Sequence, residues 1–404
     1  MKRIAVIGAG TMGAGIAQLA ASHGTAVRLI DLREDVLARA VEQIGKRLAR
    51  SVEKGRMTDE QRNAALSRID TRTRIEDLGS IELAVEAVVE DLDVKRKVFA
   101  ALEQTAPPDA VLATNTSSLP VSRIAEAVKR PARVIGMHFF NPAPVMPLVE
   151  IVAGKESDPK AIGAGVETAR SWGKTPVRVQ DTPGFIVNRV ARGFYLEALR
   201  LLGEGVAGVD EIDAILRRHG GFRMGPFELM DLIGIDVNYA VSVSVYEQMG
   251  RLARFQPHDI QRRLVETGHI GRKAGRGFYL YEEKDKLPAV PVDRRSFRLA
   301  PMLQDVLQTF CRQGGITEAN GTEQYVLGRV LGAILNEAGW ALAEGIATAE
   351  DIDIAMVKGT NYPQGPLAWA GRIGHRTVRG MLKALNDHAG DGRYEPAPVF
   401  AEAS

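Results

Sequence analysis

Short apolar runs alternate with longer amphipathic stretches over the first 180 residues. The run at 3–7 is followed by a glycine-rich turn, a helical pattern through Ile16 and Leu19, and a second apolar run at 26–31. Short apolar runs next to glycine predict buried strands, and the 3.6-residue period predicts a helix. Further strands are predicted at 83–89, 111–116, 133–139, 148–153 and 176–179. Since helical stretches, such as 34–54, separate several strands, we expect a mostly parallel, doubly wound α/β sheet.

The pattern changes near Asp181, where strand signals become rare and helical periodicity dominates. Helices are predicted at 185–203 and 210–218, with more between 225 and 267. Residues 282–298 are charged and contain two prolines, which predicts a linker.

The C-terminal part repeats an earlier segment without a gap when residues 188–235 are shifted forward by 140. The shift aligns, among others, Glu197 with Glu337, Glu204 with Glu344, Asp213 with Asp353 and Gly225–Pro226 with Gly365–Pro366. Identities at one fixed offset indicate a duplicated supersecondary unit. We therefore predict three domains: a Rossmann-like sheet domain at 1–181, an all-α domain at 182–284, and its second tandem copy at 299–404.

Charge and cysteine content narrow the class of protein. Lys and Arg (52) nearly balance Asp and Glu (50), so the net charge of +2 argues against a dedicated nucleic-acid partner. The single cysteine, Cys311, cannot form an internal disulfide or a cysteine-based metal site, which indicates a reducing compartment. No uninterrupted apolar run reaches the ~18 residues of a membrane span. We expect a cytoplasmic protein, or one of an organelle matrix, without a membrane partner and without a bound metal.

The turn after the first strand reads Gly8-Ala-Gly10-Thr11-Met12-Gly13, which is the GxGxxG spacing. Such a turn places backbone N–H groups and a helix N-terminus against a pyrophosphate. Asp31 ends the second strand, where an acidic residue binds a ribose 2′-hydroxyl. The arrangement predicts a dinucleotide cofactor, and Asp31 favours NAD over NADP, although the nearby Arg33 leaves NADP open.

Polar residues follow two other predicted strands. The segment NTSS (115–118) should lie at the carboxyl edge of the sheet, where open α/β folds bind ligands. His138 ends a strand and Glu150 lies in the next, so a carboxylate could fix the tautomer of a proton-transferring imidazole. Taken singly, His138 is more often a core histidine, Glu150 a surface charge and Asn188 a helix-initiating residue.

Five segments together resemble the 3-hydroxyacyl-CoA dehydrogenases over residues 1–284: GAGTMGAGIA, NTSS, GMHFFNPAPVMPLVEIV, DTPGFIVNR and GPFELMDLIG. The C-terminal part resembles the extra repeat of longer family members. The resemblance implies reversible, NAD-dependent oxidation of L-3-hydroxyacyl-CoA to 3-oxoacyl-CoA. Fatty-acid β-oxidation, 3-hydroxybutyryl-CoA and 3-hydroxyadipyl-CoA metabolism all remain open.

By the same resemblance, His138 is the general base or acid, Glu150 orients it, and Ser117 and Asn188 hold the reacting oxygen of the substrate. The cofactor contacts implied by the resemblance fall on Gly8, Gly10, Thr11, Met12, Gly13, Asp31, Glu90, Lys95, Ser117, Asn141 and Lys273. Gly328 stands where the repeat would need a second Asn188, so we expect one active site per chain.

The expected substrate partner is an acyl-CoA thioester, whose phosphates require cations. The candidates lie on the predicted helix after the second strand: Lys46, Arg47, Arg50 and Lys54. A solvated helix face paired with Glu42 and Glu53 explains the same residues equally well.

Two other functions share parts of this pattern. A dehydrogenase of free 3-hydroxyacids would use the same glycine turn, and a catalytically silent NAD-binding structural protein would keep the fold. The complete set of family residues argues against both. Shorter family members dimerise through the helical domain, so we expect either a homodimer or a chain whose fused copy makes it a pseudo-dimer.

Overall fold

The apolar runs of the N-terminal part form the strands of a single sheet in the computed structural model, which describes residues 1–282, 285–293 and 298–401. The strands are β1 (Arg3–Ile7), β2 (Ala26–Ile30), β3 (Ile69–Arg72), β4 (Leu83–Glu86), β5 (Val111–Thr114), β6 (Val134–Phe139), β7 (Leu148–Ala153) and β8 (Thr175–Gln180). The helices are α1 (Thr11–Ser22), α2 (Glu34–Glu53), α3 (Asp59–Ser67), α4 (Leu92–Thr105), α5 (Val121–Ala125) and α6 (Pro159–Ser171). They belong to a compact unit that spans Met1–Phe185.

The strand order within this described unit is β3-β2-β1-β4-β5-β6-β7-β8. All neighbouring strands are parallel except β6 and β7, which pair antiparallel. The predicted mostly parallel, Rossmann-like sheet is therefore confirmed. The reversal at β6–β7 follows from the connection, because residues 140–147 contain no helix that could carry the chain back to the other edge.

Strand β3 was absent from the predicted elements. Its sequence, IDTR, has one apolar residue, and all four positions are partly or fully exposed at the edge of the sheet. A short edge strand of this kind carries no hydrophobic alternation, so backbone pairing with β2 is what defines it.

The second compact unit begins at Ile186 and is dominated by helices. They are α7 (Val187–Val190), α8 (Arg192–Gly203), α9 (Val209–Arg218), α10 (Pro226–Ile233), α11 (Ile235–Gln248), α12 (Asp259–Glu266), α13 (Pro301–Gln313), α14 (Gly321–Ala343), α15 (Ala349–Thr360), α16 (Pro366–Ile373) and α17 (His375–Ala389). The predicted helix at 185–203 is divided at Ala191. Between α10 and α11, Gly234 adopts φ +109°, which only glycine tolerates readily, and the two helices bend there by 102°.

Helix boundaries in this unit recur at the 140-residue offset found in the sequence. Helix α10 corresponds to α16 residue for residue, and α11 begins 140 residues before α17. The same capping device also occurs twice. Asp213 accepts hydrogen bonds from Phe227 N and Glu228 N, and Asp353 accepts them from Leu367 N and Ala368 N.

The predicted linker at 282–298 is wrong in its first part. Strands β9 (Tyr279–Glu282) and β10 (Asp285–Pro288) form an antiparallel pair, and residues 283–284 and 294–297 lie outside the described residues. Because the pairing uses backbone groups, charged side chains and a terminal proline do not prevent it. The predicted domain ends at 284 and 404 also fall on residues that the structure does not describe.

The structure also shows where the most apolar long helix and the single cysteine lie. Among the described helices, α14 has the length and composition of a membrane span, but 78% of its most apolar window is buried inside the fold, as in a core helix. Cys311 on α13 is also buried, and burial raises the pKa of its thiol to about 12. Its thiol therefore stays protonated and unreactive near neutral pH.

Candidate active site

The three glycines of the turn between β1 and α1 have different structural roles. Gly8 has φ +100°, and a Cβ on it would lie 2.6 Å from the carbonyl oxygen of Ala87. A Cβ on Gly13 would lie 1.8 Å from the carbonyl oxygen of Gly8. A Cβ on Gly10 would meet no atom of the described protein within 4 Å. The fold itself therefore requires Gly8 and Gly13, whereas Gly10 leaves space that a ligand can use.

The N-terminus of α1 is suited to an anion. Its N-cap residue, Gly10, provides no side-chain cap, and the first turn contains no acidic residue. Backbone N–H groups and the positive end of the helix dipole therefore point toward the open space at Gly10. Thr11 and Met12 lie in this first turn, and their predicted contacts with the cofactor stay predictions.

Asp31 lies beside the turn, directly after β2. Its Oδ2 accepts a hydrogen bond from Ala9 N at 2.9 Å, and its Oδ1 accepts one from Arg33 N at 3.2 Å. The Arg33 guanidinium forms two hydrogen bonds with the Asp35 carboxylate, at 2.9 and 2.7 Å. Arg33 is thus already paired, which favours a ribose hydroxyl over a 2′-phosphate at this position.

A cleft of about 580 Å³ adjoins the turn and Asp31. Leu32 and Val89 at its wall are 90% and 67% exposed, unusually high values for such apolar residues. A flat, apolar ring system such as adenine matches this lining. This apolar wall was not among the predicted features, because its members come from separate segments: Ile7, Leu32, Val36, Ile75, Val89, Val94 and Val98.

His138 and Glu150 are direct neighbours across the antiparallel β6–β7 pair. The Nδ1 atom of His138 lies 2.7 Å from Oε2 of Glu150. Both side chains are buried, with His138 6% and Glu150 0% exposed. Since a carboxylate only accepts, Nδ1 carries the proton and Nε2 keeps a lone pair. The structure thus joins the two residues that the sequence could only propose as partners.

Aromatic rings enclose the imidazole of His138. The ring centroids of Phe140 and Phe185 lie 4.5 and 5.8 Å from it. Phe185 adopts φ +50°, a conformation that bulky side chains rarely take. Such strain persists only where surrounding contacts impose it, and it concentrates at functional sites.

The segment NTSS (115–118) is held in place from two sides. Asn115 Oδ1 accepts a hydrogen bond from Phe139 N at 2.9 Å, which links the ends of β5 and β6. Glu90 Oε1 accepts hydrogen bonds from Thr116 Oγ1 and Ser117 N at 2.7 and 2.9 Å, and lies 3.4 Å from Ser117 Oγ. Burial acts to raise the pKa of Glu90, but Lys95 and these hydrogen bonds hold it below its usual range.

Lys95 is buried, with 1% exposure, below this loop. Its Nζ donates to Glu86 Oε1 at 2.7 Å and lies 3.3 Å from Glu90 Oε2. Glu86 in turn accepts a hydrogen bond from Thr114 Oγ1 at 2.7 Å. The predicted contact of Lys95 with the cofactor stays a prediction. The position of its ammonium group beside Glu90 shows that Lys95 holds the Glu90 carboxylate in place. Glu86 was missed, although a carboxylate in an apolar strand is a usable signal.

The loop between β6 and β7 packs against α1. A Cβ on Gly15 of α1 would lie 3.3 Å from Ala143 and Pro144, so glycine permits this approach. Lys174 Nζ donates to the carbonyl oxygen of Met146 in the same loop at 2.8 Å. Asn141, another predicted cofactor contact, is exposed in the loop two residues after the end of β6.

Burial lowers the pKa of Lys174 to about 8. Because the unfolded chain keeps a lysine pKa of ~10.4, it binds more protons than the folded chain between about pH 8 and 10.5. The free energy of unfolding should therefore rise over this range, and Lys174→Met should reduce the rise by roughly 2 kcal/mol. Urea unfolding followed by tryptophan fluorescence at pH 7.5 and 10 measures the effect. Lys54→Met, at an exposed position, is the control, and an equal change in both variants would contradict the assignment.

Asn188 and Lys273 belong to the second compact unit. Asn188 lies in α7 and is partly exposed, and its backbone carbonyl accepts a hydrogen bond from Arg192 Nε at 2.9 Å. Lys273 is exposed in a short 3₁₀ turn, Arg272–Ala274. The predicted contacts of both residues with ligands stay predictions.

The four predicted coenzyme A cations lie on or next to α2. Lys46 pairs with Glu42 at 2.6 Å, as a solvated helix face would. Arg47 lies 3.4 Å from Gln18 Oε1, while Arg50 and Lys54 form no ion pair with any described residue. A cavity of about 450 Å³ adjoins the end of this helix, and its lining includes Ser51 and two arginines that were not among the predicted cations, Arg56 and Arg68.

Within the described residues, no group of three or more His, Cys, Asp or Glu side chains is arranged to hold a metal ion.

The turn accommodates a pyrophosphate and the neighbouring cleft accommodates an apolar ring, which is the combination that nicotinamide dinucleotides require. The fold and site thus place the protein among the NAD-dependent oxidoreductases. The 3-hydroxyacyl-CoA dehydrogenase NAD binding domain matches residues 3–182, and the C-terminal domain of the same family matches residues 184–281 and 325–403. The chain belongs to the 3-hydroxyacyl-CoA dehydrogenase family.

Individual relatives agree with the family match. The chain is 38% identical to the 3-hydroxyadipyl-CoA dehydrogenase of Escherichia coli K12, with 100% of this chain and 97% of that protein covered. It is 39% identical to a probable 3-hydroxybutyryl-CoA dehydrogenase of Bacillus subtilis, over 70% of this chain and 99% of that protein. The crystal structure of 3-hydroxybutyryl-CoA dehydrogenase from Escherichia coli K12 superposes with a TM-score of 0.88 at 38% identity, covering 99% of this chain and 97% of that one.

Proposed function

We propose that this NAD-dependent enzyme interconverts L-3-hydroxyacyl-CoA and 3-oxoacyl-CoA with His138 as the proton-transfer group. The observation that carries the proposal is the 2.7 Å contact between His138 Nδ1 and Glu150 Oε2. It leaves Nε2 as the atom that can take the proton of a 3-hydroxyl group. In the reverse direction, Nε2–H returns that proton to the oxygen at C3.

Glu150 contributes electrostatically. When His138 becomes an imidazolium, the buried carboxylate lies in hydrogen-bond contact with the new positive charge. A pair of opposite charges at low dielectric attracts more strongly than it would in water, so the protonated intermediate state is stabilised. Glu150 also fixes the orientation of the ring, which keeps Nε2 directed at one position.

The residues of the glycine turn fit the cofactor. Gly10 and the uncapped N-terminus of α1 would hold the pyrophosphate, and Asp31 a ribose hydroxyl. When bound, NAD supplies the acceptor for the hydride that leaves C3 of the hydroxyacyl group. Ser117 would hold the substrate oxygen, and Glu90 would keep the Ser117 loop in place.

The substrate class is tested by a panel of CoA thioesters with NADH, followed at the absorbance of NADH. Acetoacetyl-CoA and longer 3-oxoacyl-CoA compounds should be reduced, whereas free acetoacetate should not. Turnover of the free acid at a similar rate would overturn the role proposed for coenzyme A.

We further propose that the second unit is a duplicated domain whose two halves pack as a pseudo-dimer. Arg189 pairs with Glu337 at 2.5 Å and Glu344 at 2.6 Å. Arg329, 140 residues later, pairs with Glu197 at 2.9 Å and with Glu204. Each contact is matched by one in which the two halves exchange roles, which is the property of an isologous, two-fold interface.

The helices that carry these pairs support the same symmetry. A Cβ on Gly193 of α8 would lie 2.9 Å from the backbone carbon of Ala333 on α14, the residue exactly one repeat further along the chain. Equivalent positions approach each other most closely at a two-fold axis. The match of the C-terminal family domain to two separate segments also supports two copies.

Removing either arginine should destabilise the second unit to a similar extent. Arg189→Met removes one of the two cations at the buried Glu337, which keeps Arg254, and Arg329→Met removes one at the buried Glu197, which keeps Arg200. Each should lower the free energy of unfolding by at most about 3–5 kcal/mol, the cost of breaking a buried pair and leaving its partner charge unpaired. Arg251→Met, whose partner Glu247 is exposed, should cost about 0–1 kcal/mol. Urea unfolding measures all three, and a loss at only one of the two buried sites would contradict the reciprocal arrangement.

A further inference from the structure

Arg33 lies at the rim of the cofactor cleft, between β2 and α2. Asp31 and Leu32 before it and Val36 after it line that cleft. The backbone N–H of Arg33 donates to Asp31 Oδ1 at 3.2 Å, so the two residues are in direct contact. An arginine side chain that starts here is long enough to reach the ribose group that Asp31 would bind.

The loop after β2 contains two elements that bind phosphate. In dinucleotide-binding folds, an arginine near the end of the second strand accommodates the 2′-phosphate that distinguishes NADP from NAD. The N-terminus of α2 is the second element. Its N-cap residue, Arg33, makes no side-chain cap, so the first N–H groups of this 20-residue helix remain available to an anion.

Asp35, in the first turn of α2, binds the guanidinium of Arg33 on both sides of its fork. Arg33 Nε donates to Asp35 Oδ1 at 2.9 Å, and Arg33 Nη2 donates to Oδ2 at 2.7 Å. Arg39, one turn further along the helix, donates to the same Oδ2 at 2.6 Å. Exposed ion pairs usually contribute little, but a bidentate pair within a network of charges is the exception. The Arg33 guanidinium is therefore directed toward Asp35.

The charges of this loop also disfavour a phosphate. The hydrogen bonds and the charge of Asp35 raise the pKa of Arg33, with a smaller contribution from Asp31. In turn, the hydrogen bonds from Arg33 hold the pKa of Asp35 below its usual range. Both groups therefore stay ionised near neutral pH. Three carboxylates and one guanidinium give residues 31–35 a net charge of −2, which repels a largely dianionic 2′-phosphate.

We propose that Asp35 sets the preference for NAD over NADP by holding Arg33 away from the 2′ position, and that residues 31–35 form a latent 2′-phosphate site. The inference rests on the proposed function, because it takes the position of the ribose from Asp31. Asp31 then selects the hydroxyl group directly, whereas Asp35 withholds the cation that would bind the phosphate. Asp35 is thus a positioning residue, since it acts on the cofactor only through Arg33.

The test compares NADH with NADPH, which differ only in the 2′ group, by fluorescence titration and by kcat/KM with acetoacetyl-CoA. The unaltered enzyme should prefer NADH. Asp35→Asn keeps the size of the side chain and removes its charge. It should raise the affinity and kcat/KM for NADPH about 10-fold, as one additional charge-assisted contact provides, while the values for NADH stay within about 3-fold. Asp35→Ala, which also removes the hydrogen-bond acceptor, should give at least the same gain.

Glu34→Gln is the matched control. Glu34 is the neighbouring acidic residue in the first turn of α2, and it forms no ion pair within the part of the chain that the structure describes. Its replacement removes the same charge without releasing Arg33, so the affinity for NADPH should rise less than about 3-fold. Arg33→Ala alone should leave NADH binding unchanged. Combined with Asp35→Asn, it should abolish the gain with NADPH.

Four results would overturn the inference. An unaltered enzyme without a preference for NADH, or no gain in either Asp35 variant, would remove the role of Asp35. An equal gain in Glu34→Gln would show that net charge alone sets the preference. A gain that persists without Arg33 would show that another cation of the cleft, such as Arg74, binds the phosphate.

Failure of the proposed function has a different signature. Asp31→Ala would then leave the affinity for NADH unchanged, and no CoA thioester would be reduced with either cofactor. Thermal unfolding of each variant confirms that it is folded before the cofactors are compared.

Discussion

Replacing His138 with glutamine should lower kcat for acetoacetyl-CoA reduction about 10²- to 10⁴-fold, the usual contribution of a general acid or base. The amide cannot exchange a proton near neutral pH, although it can keep a hydrogen bond to Glu150. NADH binding should change little, because the glycine turn, Asp31 and the apolar cleft are separate from the His138–Glu150 pair. Steady-state kinetics and NADH fluorescence titration measure the two effects independently.

Glu150→Gln provides the matched comparison. It removes the negative charge beside His138 but retains a side chain of the same size at a position with 0% exposure. We expect a smaller loss of kcat than for His138→Gln, because Nε2 can still exchange a proton. A His138→Gln enzyme with near-normal turnover would exclude His138 as the proton-transfer group.

Two alanine substitutions in the glycine turn should separate cofactor binding from folding. Gly10→Ala should fold with an unchanged melting temperature, because a Cβ there meets nothing within 4 Å. It should nevertheless weaken NADH binding about 10-fold or more, since the methyl group occupies the space that the pyrophosphate backbone contact requires. Titration with NADH, followed by fluorescence, measures the affinity.

Gly13→Ala is the structural counterpart. Its Cβ would lie 1.8 Å from the carbonyl oxygen of Gly8, so α1 must move away from β1. We expect a lower melting temperature already in the absence of NADH, together with weaker binding. If Gly10→Ala instead lowered the melting temperature and kept full affinity for NADH, the pyrophosphate would have to lie elsewhere.

Much of the N-terminal unit could be predicted because its strands are continuous apolar runs. The runs at 3–7, 26–31 and 148–153 became β1, β2 and β7 with boundaries within one residue. Strand β3 and the β9–β10 pair could not be predicted in this way. Their side chains are polar or mixed, and backbone hydrogen bonds to a partner strand define them.

The residues of the candidate site also divide into those that could be predicted from the sequence and those that could not. The residue types of the glycine turn, His138, Glu150 and the NTSS segment were evident in the sequence, since each is chemically distinctive at its position. The supporting residues were less evident. Glu86 and Lys174 act through contacts with segments far away in the chain, and spacing alone gives no signal for such contacts.

By itself, the sequence determined the class of fold, the place of the dinucleotide turn and the 140-residue internal repeat, because these depend on local periodicity and on identities along the chain. Only the tertiary structure decided that β6 and β7 run antiparallel, which brings His138 opposite Glu150. It also decided that Arg189 pairs with Glu337 and that Arg329 pairs with Glu197. The physical reason is that direction, register and counter-charge belong to pairs of distant residues, which no single segment of the chain contains.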